Sequence, residues 1–98
     1  MKGFIIGKEE REYTPNGAQE KKTARTLHVA WDGRKDDEVK GHRVESVYCP
    51  FDLNGIEPGM YCEFEYEIRQ TRNGAMARLV DVIPLGEAEI LLVPPEVK

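Results

Sequence analysis

The sequence lacks several features that would assign a protein class at once. It contains only two cysteines, so it is not a small domain held together by a disulfide network. No apolar run approaches the roughly 20 residues that a membrane-spanning helix requires. Residues 1–7 have neither the length nor the cleavage site of a signal peptide. We therefore expect a cytoplasmic protein without membrane contact.

The two cysteines, Cys49 and Cys62, fall in or beside apolar strand patterns. We interpret them as buried structural thiols, and a disulfide between them is the alternative. Together with the two histidines they match no metal-ligand spacing, since structural zinc sites place their ligands in closely spaced pairs. The sequence therefore predicts no metal and no cofactor.

An excess of positive charge is also missing. The chain has 14 Lys and Arg against 18 Asp and Glu, a formal net charge of −4. This net charge argues against a polyanion binder that works through bulk charge alone, so the distribution of charge matters more than its sum. Nucleophile elbows, Gly-rich phosphate loops and paired metal-binding histidines are absent from the sequence. We predict that the protein is not an enzyme and has no catalytic residues and no small-molecule substrate.

What the sequence does contain is period-two alternation of apolar and polar residues, which is typical of half-buried β-strands. Strands are predicted over residues 3–13, 23–31, 42–49, 60–69 and 75–83. The charged stretch 32–41 is predicted to be a solvated loop. We assign residues 1–84 to one domain and residues 85–98 to a C-terminal extension, which is a disordered tail, a docking arm, or a short sixth strand in 86–94 that seals an edge of the sheet.

Five strands and scarcely any helix predict an all-β fold, specifically a small five-stranded OB-like barrel with protruding hairpins. An SH3-like barrel is the competing architecture, because periodicity alone does not separate the two. The long first ribbon and the long hairpin between the fourth and fifth strands favour the OB-like barrel.

Alternation also assigns side chains to faces. In the first strand it places Phe4 on the face opposite to Ile5, Arg11 and Tyr13. In the second strand Trp31 shares a face with apolar residues, so we expect it in the core. The fourth strand carries a solvated acidic face formed by Glu63, Glu65 and Glu67. This face would repel DNA from its side of the barrel.

Basic residues form two groups near predicted hairpin tips. The first group contains Arg11, Lys21, Lys22 and Arg25, and the second contains Arg69, Arg72 and Arg78. Protruding cations suit phosphate contact, although ordinary surface charge is the alternative for each group taken alone. Tyr13 is the best candidate for stacking on a base, because burial is hard to arrange on the polar ribbon. We predict that these eight residues bind nucleic acid.

The second half of the chain resembles a known family. Its Pro-Gly-Met-Tyr motif at 58–61, the alternating strand that follows, Gly74 and the return strand ending at 83–84 resemble the gene V single-stranded DNA-binding proteins of filamentous phages. The first half is similar more loosely, through a polar ribbon with basic residues over 11–25. Taken loosely, the resemblance covers residues 2–84.

The resemblance implies an OB-like barrel that forms a symmetric homodimer and coats single-stranded DNA cooperatively, without strong sequence preference. The family's DNA-binding ribbon corresponds to residues 13–26 here, which places Lys21, Lys22 and Arg25 on it. The hairpin around Gly74 would lie close to the dimer axis, with the second basic group near the path of the DNA.

We therefore predict a non-sequence-specific single-stranded DNA-binding protein that coats DNA during replication or recombination, with RNA binding left open. The alternative is a β-barrel adaptor that binds protein and no nucleic acid. The net negative charge and the acidic fourth strand support that alternative.

Overall fold

The computed structural model describes residues 1–33, 38–90 and 92–96, which form an all-β fold, as predicted. The five strands are β1 (Lys2–Tyr13), β2 (Lys22–Trp31), β3 (Val44–Cys49), β4 (Met60–Thr71) and β5 (Gly74–Glu87). Within these residues there is no helix long and apolar enough to cross a membrane.

The strands form one antiparallel sheet in the order β3-β2-β1-β4-β5. The central strand β1 pairs with β2 along almost its whole length, but it pairs with β4 only over residues 2–4. Among the described residues β3 and β5 do not pair with each other, so the barrel is open between them. An OB-fold is itself a partly open five-stranded barrel.

The sheet curls so that side chains from distant strands meet in one core. Trp31 of β2 and Phe64 of β4 pack edge to face, with ring centroids 5.0 Å apart. The Trp31 indole nitrogen donates a hydrogen bond to Glu45 of β3 over 3.1 Å. The core consists of Ile5, Leu27, Val29, Trp31, Cys49, Leu53, Ile56, Cys62, Phe64, Leu79 and Val82. Trp31 therefore lies in the core, as predicted.

Cys49 and Cys62 are free, buried thiols, as the strand pattern predicted, and they form no disulfide. Burial disfavours the charged thiolate. It raises the pKa of the Cys49 thiol to about 11 and also raises the pKa of Cys62. Both side chains act as small apolar residues of the core.

The connection between β3 and β4 closes one end of the core. Its Leu53 and Ile56 are buried among the strand residues. The ammonium group of Lys8 on β1 donates to the Leu53 carbonyl over 3.2 Å and lies 3.4 Å from a Glu57 carboxylate oxygen. The backbone amide of Gly59 donates to the Ile5 carbonyl over 2.8 Å. These bonds attach the connection to the central strand.

The predicted faces of β1 are wrong beyond Ile5, because a β-bulge interrupts the strand. Ile5 pairs with the buried Val29, whereas Gly7 pairs with His28, so Ile6 is the extra residue. One extra residue reverses the alternation for everything that follows. Arg11 and Tyr13 consequently share a face with Phe4 rather than with Ile5. We call this face, which points away from the core, the outer face.

The strands differ from prediction mainly at their ends. β4 and β5 extend to a tight turn, with Thr71 paired to Gly74, because the positive φ of Gly74, 111°, lets two residues, Arg72 and Asn73, connect the strands. β5 also continues to Glu87, past the predicted domain boundary at residue 84, since Met60 still offers it a partner. No sixth strand is present in the described part of 86–94. The charged loop predicted over 32–41 lies partly outside the described residues, which omit 34–37.

Candidate nucleic-acid interface

Two hairpins project from the sheet in opposite directions. β1 leaves its short pairing with β4 in one direction and reaches the β1–β2 turn, whereas β4 runs antiparallel and reaches the β4–β5 turn at the other end. The molecule measures 53 × 32 × 26 Å. The two predicted basic groups therefore lie near different ends of one chain, and they do not form a single cluster.

The first projection is a two-stranded wing, which we define as residues 11–24. Over this segment β1 and β2 pair with each other alone, since the pairing of β3 with β2 begins at Arg25. On the outer face of the wing, Tyr13 lies directly opposite Lys22, and Arg11 lies in the next row opposite Ala24. Lys21 precedes β2 at the turn and is exposed.

The cations of the wing are available to a ligand. Arg11, Lys21 and Lys22 form no ion pair within the described part of the chain, and all three are exposed. Tyr13 between them keeps 41% of its surface exposed. Two strands without a covering layer cannot bury these side chains, so the wing presents charge and an aromatic ring together.

Arg25 lies on the other side of the ribbon. It pairs with Glu10 of β1 and Cys49 of β3, and its neighbour along the same face is the core residue Leu27. The strand alternation thus separates its guanidinium from the outer face that carries Arg11 and Lys22. The sequence placed these residues in one group, and the structure divides them between two faces.

The outer face continues from the wing across β2 and β3, where it adds residues outside the predicted site. Tyr48, which is 59% exposed, lies opposite Thr26. His28 contacts Ser46 of β3 at 3.0 Å through Nδ1 and Glu9 of β1 at 3.7 Å through Nε2. Only the register between β2 and β3, together with the bulge, puts these side chains on the face that carries Arg11, and Glu9 lies on that face between Arg11 and His28. The signal available in the sequence was an aromatic residue, Tyr48, on the strand face opposite to Val47 and Cys49.

The second basic group lies among carboxylates. Arg69 and Arg78 are on the same face of the β4–β5 hairpin as the acidic face of Glu63, Glu65, Glu67 and Asp81. The Arg69 Nε donates to a Glu67 carboxylate oxygen over 2.7 Å. Arg78 is paired across the strands with the same Glu67. Arg69 is therefore partly neutralised, and Arg78 lies among carboxylates although it forms no ion pair with a described residue.

Arg72 lies in the two-residue turn at the tip of this hairpin. The turn is fixed by the Thr71 hydroxyl, which donates to the Gly74 carbonyl over 2.7 Å and accepts from the Asn73 amide. Gly74 has a φ of 111°, which side-chain-bearing residues rarely adopt. Arg72 is exposed and forms no ion pair with a described residue.

The opposite face of the β4–β5 hairpin is apolar and largely uncovered. Ile68 is 77% exposed, and it lies opposite Ala77. Tyr66 continues this face toward the core and pairs with the buried Leu79. Burial, followed by the negative charge of Glu45, raises the pKa of the Tyr66 hydroxyl. A hairpin with one acidic face and one apolar face has a side that water solvates poorly.

No group of three or more His, Cys, Asp and Glu side chains in the described part of the chain is arranged to hold a metal ion. Comparison with known proteins finds no matching family model, no matching curated protein and no matching solved structure. The resemblance to the gene V proteins therefore stays a prediction from sequence.

Proposed function

We propose that this protein binds single-stranded DNA without sequence specificity, through the outer face of the wing. The observation that carries the proposal is the arrangement of unpaired Arg11 and Lys22 around the exposed ring of Tyr13. Cations contact phosphates, and an aromatic face stacks on any base, so the combination suits single strands and tolerates all sequences.

Binding would be an equilibrium process driven by the release of counterions and by stacking. Each neutralised phosphate releases condensed cations, which makes the affinity fall as salt rises. A base stacked on Tyr13 or Tyr48 would contribute about 1–3 kcal/mol. The strand would run along the outer face, because the acidic face of β4–β5 repels phosphates. RNA offers the same phosphates and bases, so it remains a second ligand for the same surface.

A symmetric homodimer is part of this proposal. Within one chain the β4–β5 tip with Arg72 points away from the wing. A second copy, packed against the apolar face around Ile68, would cover that face and bring another wing into the assembly. Two wings on one DNA strand increase affinity through effective concentration. Coating of DNA in the cytoplasm during replication or recombination would follow from such repeated binding.

Fluorescence anisotropy with a labelled oligo-dT tests the proposal directly. We expect binding at micromolar protein in about 50 mM salt, and a steep loss of affinity as the salt concentration rises. The double variant Arg11→Glu/Lys22→Glu should abolish binding, whereas Lys40→Glu, exposed and outside the wing, should retain it. Absence of binding by the natural sequence at low salt would refute the proposal.

The acidic face favours one other function, a protein adaptor. Four carboxylates line this face, and Glu65 lies directly opposite Asp81, an arrangement that costs stability unless something cationic approaches. A basic protein partner would supply that charge. Under this alternative the Arg11→Glu/Lys22→Glu variant would bind its partner normally, and oligo-dT would not bind the natural protein at all.

A further inference from the structure

A pocket lies on the outer face at the end of the sheet away from the wing. Its volume is about 310 Å³, at the lower end of small-ligand sites. It is lined by Phe4, Ile6, Ala30, His42, Glu89 and Ile90. The last two belong to the segment after β5, which is attached where the Ala88 amide donates to the Gly59 carbonyl over 2.8 Å. Strand residues thus form the floor, and the C-terminal segment forms one wall.

The aromatic ring in this floor is held in place. Phe4 meets His42 edge to face at 5.8 Å between ring centroids, and it meets Tyr61 at 4.9 Å. The Tyr61 hydroxyl donates to a carboxylate oxygen of Asp32 over 2.6 Å, and this bond raises the pKa of Tyr61. Phe4 is therefore supported on two sides, which gives a planar ligand a preorganised surface for stacking.

The polar groups of the pocket are acceptors. His42 Nδ1 lies 2.9 Å from the Trp31 carbonyl oxygen, which can only accept, so Nδ1 carries the proton. In the neutral ring this leaves Nε2 as an acceptor. The Glu89 carboxylate adds two further acceptor oxygens. An aromatic floor with acceptors at its rim selects a flat ligand with several N–H donors on one edge.

We propose that this pocket binds a nucleobase and prefers guanine. Guanine presents an N1–H and an exocyclic amine on one edge, whereas thymine presents a single N–H there. The row formed by Phe4 and Ala30 is adjacent to the row of Gly7 and His28 on the outer face, with only the bulge between them. The proposal therefore rests on the proposed function, because it extends the same surface from non-specific stacking to a base preference.

An organic cation is the competing ligand, since a carboxylate beside aromatic rings also attracts quaternary ammonium groups. The nucleobase is favoured because the pocket lies on the same outer face as the wing and because His42 contributes an acceptor that a quaternary ammonium ion would leave unused. The two ligand classes give opposite results in one experiment.

NMR titration of the full chain with guanosine monophosphate (GMP), thymidine monophosphate and tetramethylammonium separates these cases. We expect GMP to shift the amide signals of Ala30, His42 and Ile90 and to bind at least fivefold more tightly than thymidine monophosphate. Glu89→Gln should reduce the affinity for GMP about fivefold or more, because a carboxylate acceptor is lost. Glu96→Gln, in the same segment but outside the pocket, is the matched control and should change nothing.

Phe4→Leu provides a second variant that keeps the floor apolar. It should lower the affinity for GMP at least fivefold, because stacking on the phenyl ring is lost. The midpoint of thermal unfolding checks that the variant is folded. Equal binding of both nucleotides, unchanged affinity in Glu89→Gln, or binding of tetramethylammonium instead of GMP would each overturn the pocket assignment. Oligo-dT binding with no GMP binding would overturn it while leaving the proposed function intact. The reverse result would support the pocket and remove the proposed function.

Discussion

Lys22 is the first residue of β2 and lies opposite Tyr13, so its ammonium group is presented at the exposed end of the wing. If it contacts one phosphate, Lys22→Gln should make the logarithmic salt dependence of oligo-dT affinity shallower by about 0.7, the value for one phosphate of a single strand. Anisotropy titrations at four salt concentrations measure this slope. Lys40→Gln removes the same charge elsewhere and should leave the slope unchanged. Equal slopes in all three proteins would exclude Lys22 from the contact.

Cys49 links stability to alkaline pH. Its pKa is about 11 in the folded protein, compared with 9.0 for an exposed thiol. The native state therefore holds this proton more tightly than the unfolded chain, and the associated stability is complete below pH 9.0 and is lost as the pH rises toward about 11. Urea unfolding at pH 8 and pH 10.5 should reveal a decrease in the free energy of unfolding.

Cys49→Ala is the matched comparison for this prediction, since other groups also titrate in alkaline solution. The variant loses some packing at every pH, but it should show a smaller decrease between pH 8 and pH 10.5 than the natural protein. The difference between the two decreases isolates the thiol. An identical decrease in both proteins would contradict the assignment to Cys49.

At the scale of the strands, Gly3 allows β1 to approach β2 closely. A Cβ atom added there would lie 2.5 Å from the Val29 Cγ1 and 3.0 Å from a ring carbon of Trp31, and both of these residues belong to the core. Gly3→Ala should therefore lower the free energy of unfolding by about 1–3 kcal/mol, the usual cost of overpacking. Chemical denaturation of the two proteins measures this difference in the free energy of unfolding.

Gly86→Ala serves as the control for that substitution. Gly86 is also in a strand, yet apart from its two chain neighbours no residue has a heavy atom within 4 Å of the position its Cβ would occupy. The free energy of unfolding should stay within about 0.5 kcal/mol of the natural value, as for most surface substitutions. If the two alanine variants were equally stable, close packing at Gly3 would not be the constraint.

The alternation of apolar and polar residues predicted that the strands exist. It predicted the face of each β1 side chain only as far as the bulge at Ile6. The five strands and the core position of Trp31 follow from period-two patterns, because a curled sheet needs one apolar side. The bulge at Ile6 leaves no mark in composition, since Ile fits either face. The bulge puts Arg11 and Tyr13 on the outer face with Phe4. This consequence could be seen only from the pairing register of β1 and β2.

At the scale of the whole molecule, the apolar face of the β4–β5 hairpin predicts self-association. Ile68→Lys should convert a dimer into a monomer, because a charge would replace the most exposed part of that face. Met76→Lys is the matched control: Met76 is 61% exposed and lies opposite Arg69 on the other face of the same hairpin. Sedimentation equilibrium distinguishes the two masses. A monomeric natural protein would exclude the homodimer.

The relation between the two basic groups could not be predicted from the sequence. Both groups lie near hairpin tips, as the turn signals indicated. Their opposite directions, however, follow from the short pairing of residues 2–4 with β4, which is a contact between segments about sixty positions apart. The acidic neighbours of Arg69 along β4 were visible in the sequence. Their pairing with residues of β5 was not.

The bulge at Ile6 sets which face of the sheet each later residue of β1 occupies. It therefore determines where the chain tolerates changes in length. The loss of a single residue between residues 8 and 10 would move Arg11 and Tyr13 to the opposite face of the ribbon, away from Lys22. Between residues 14 and 21, the connecting turn can lengthen or shorten without altering either strand's phase. Evolutionary drift or engineering can therefore alter the reach of the wing at its tip, whereas its chemistry is fixed by a residue count near its base.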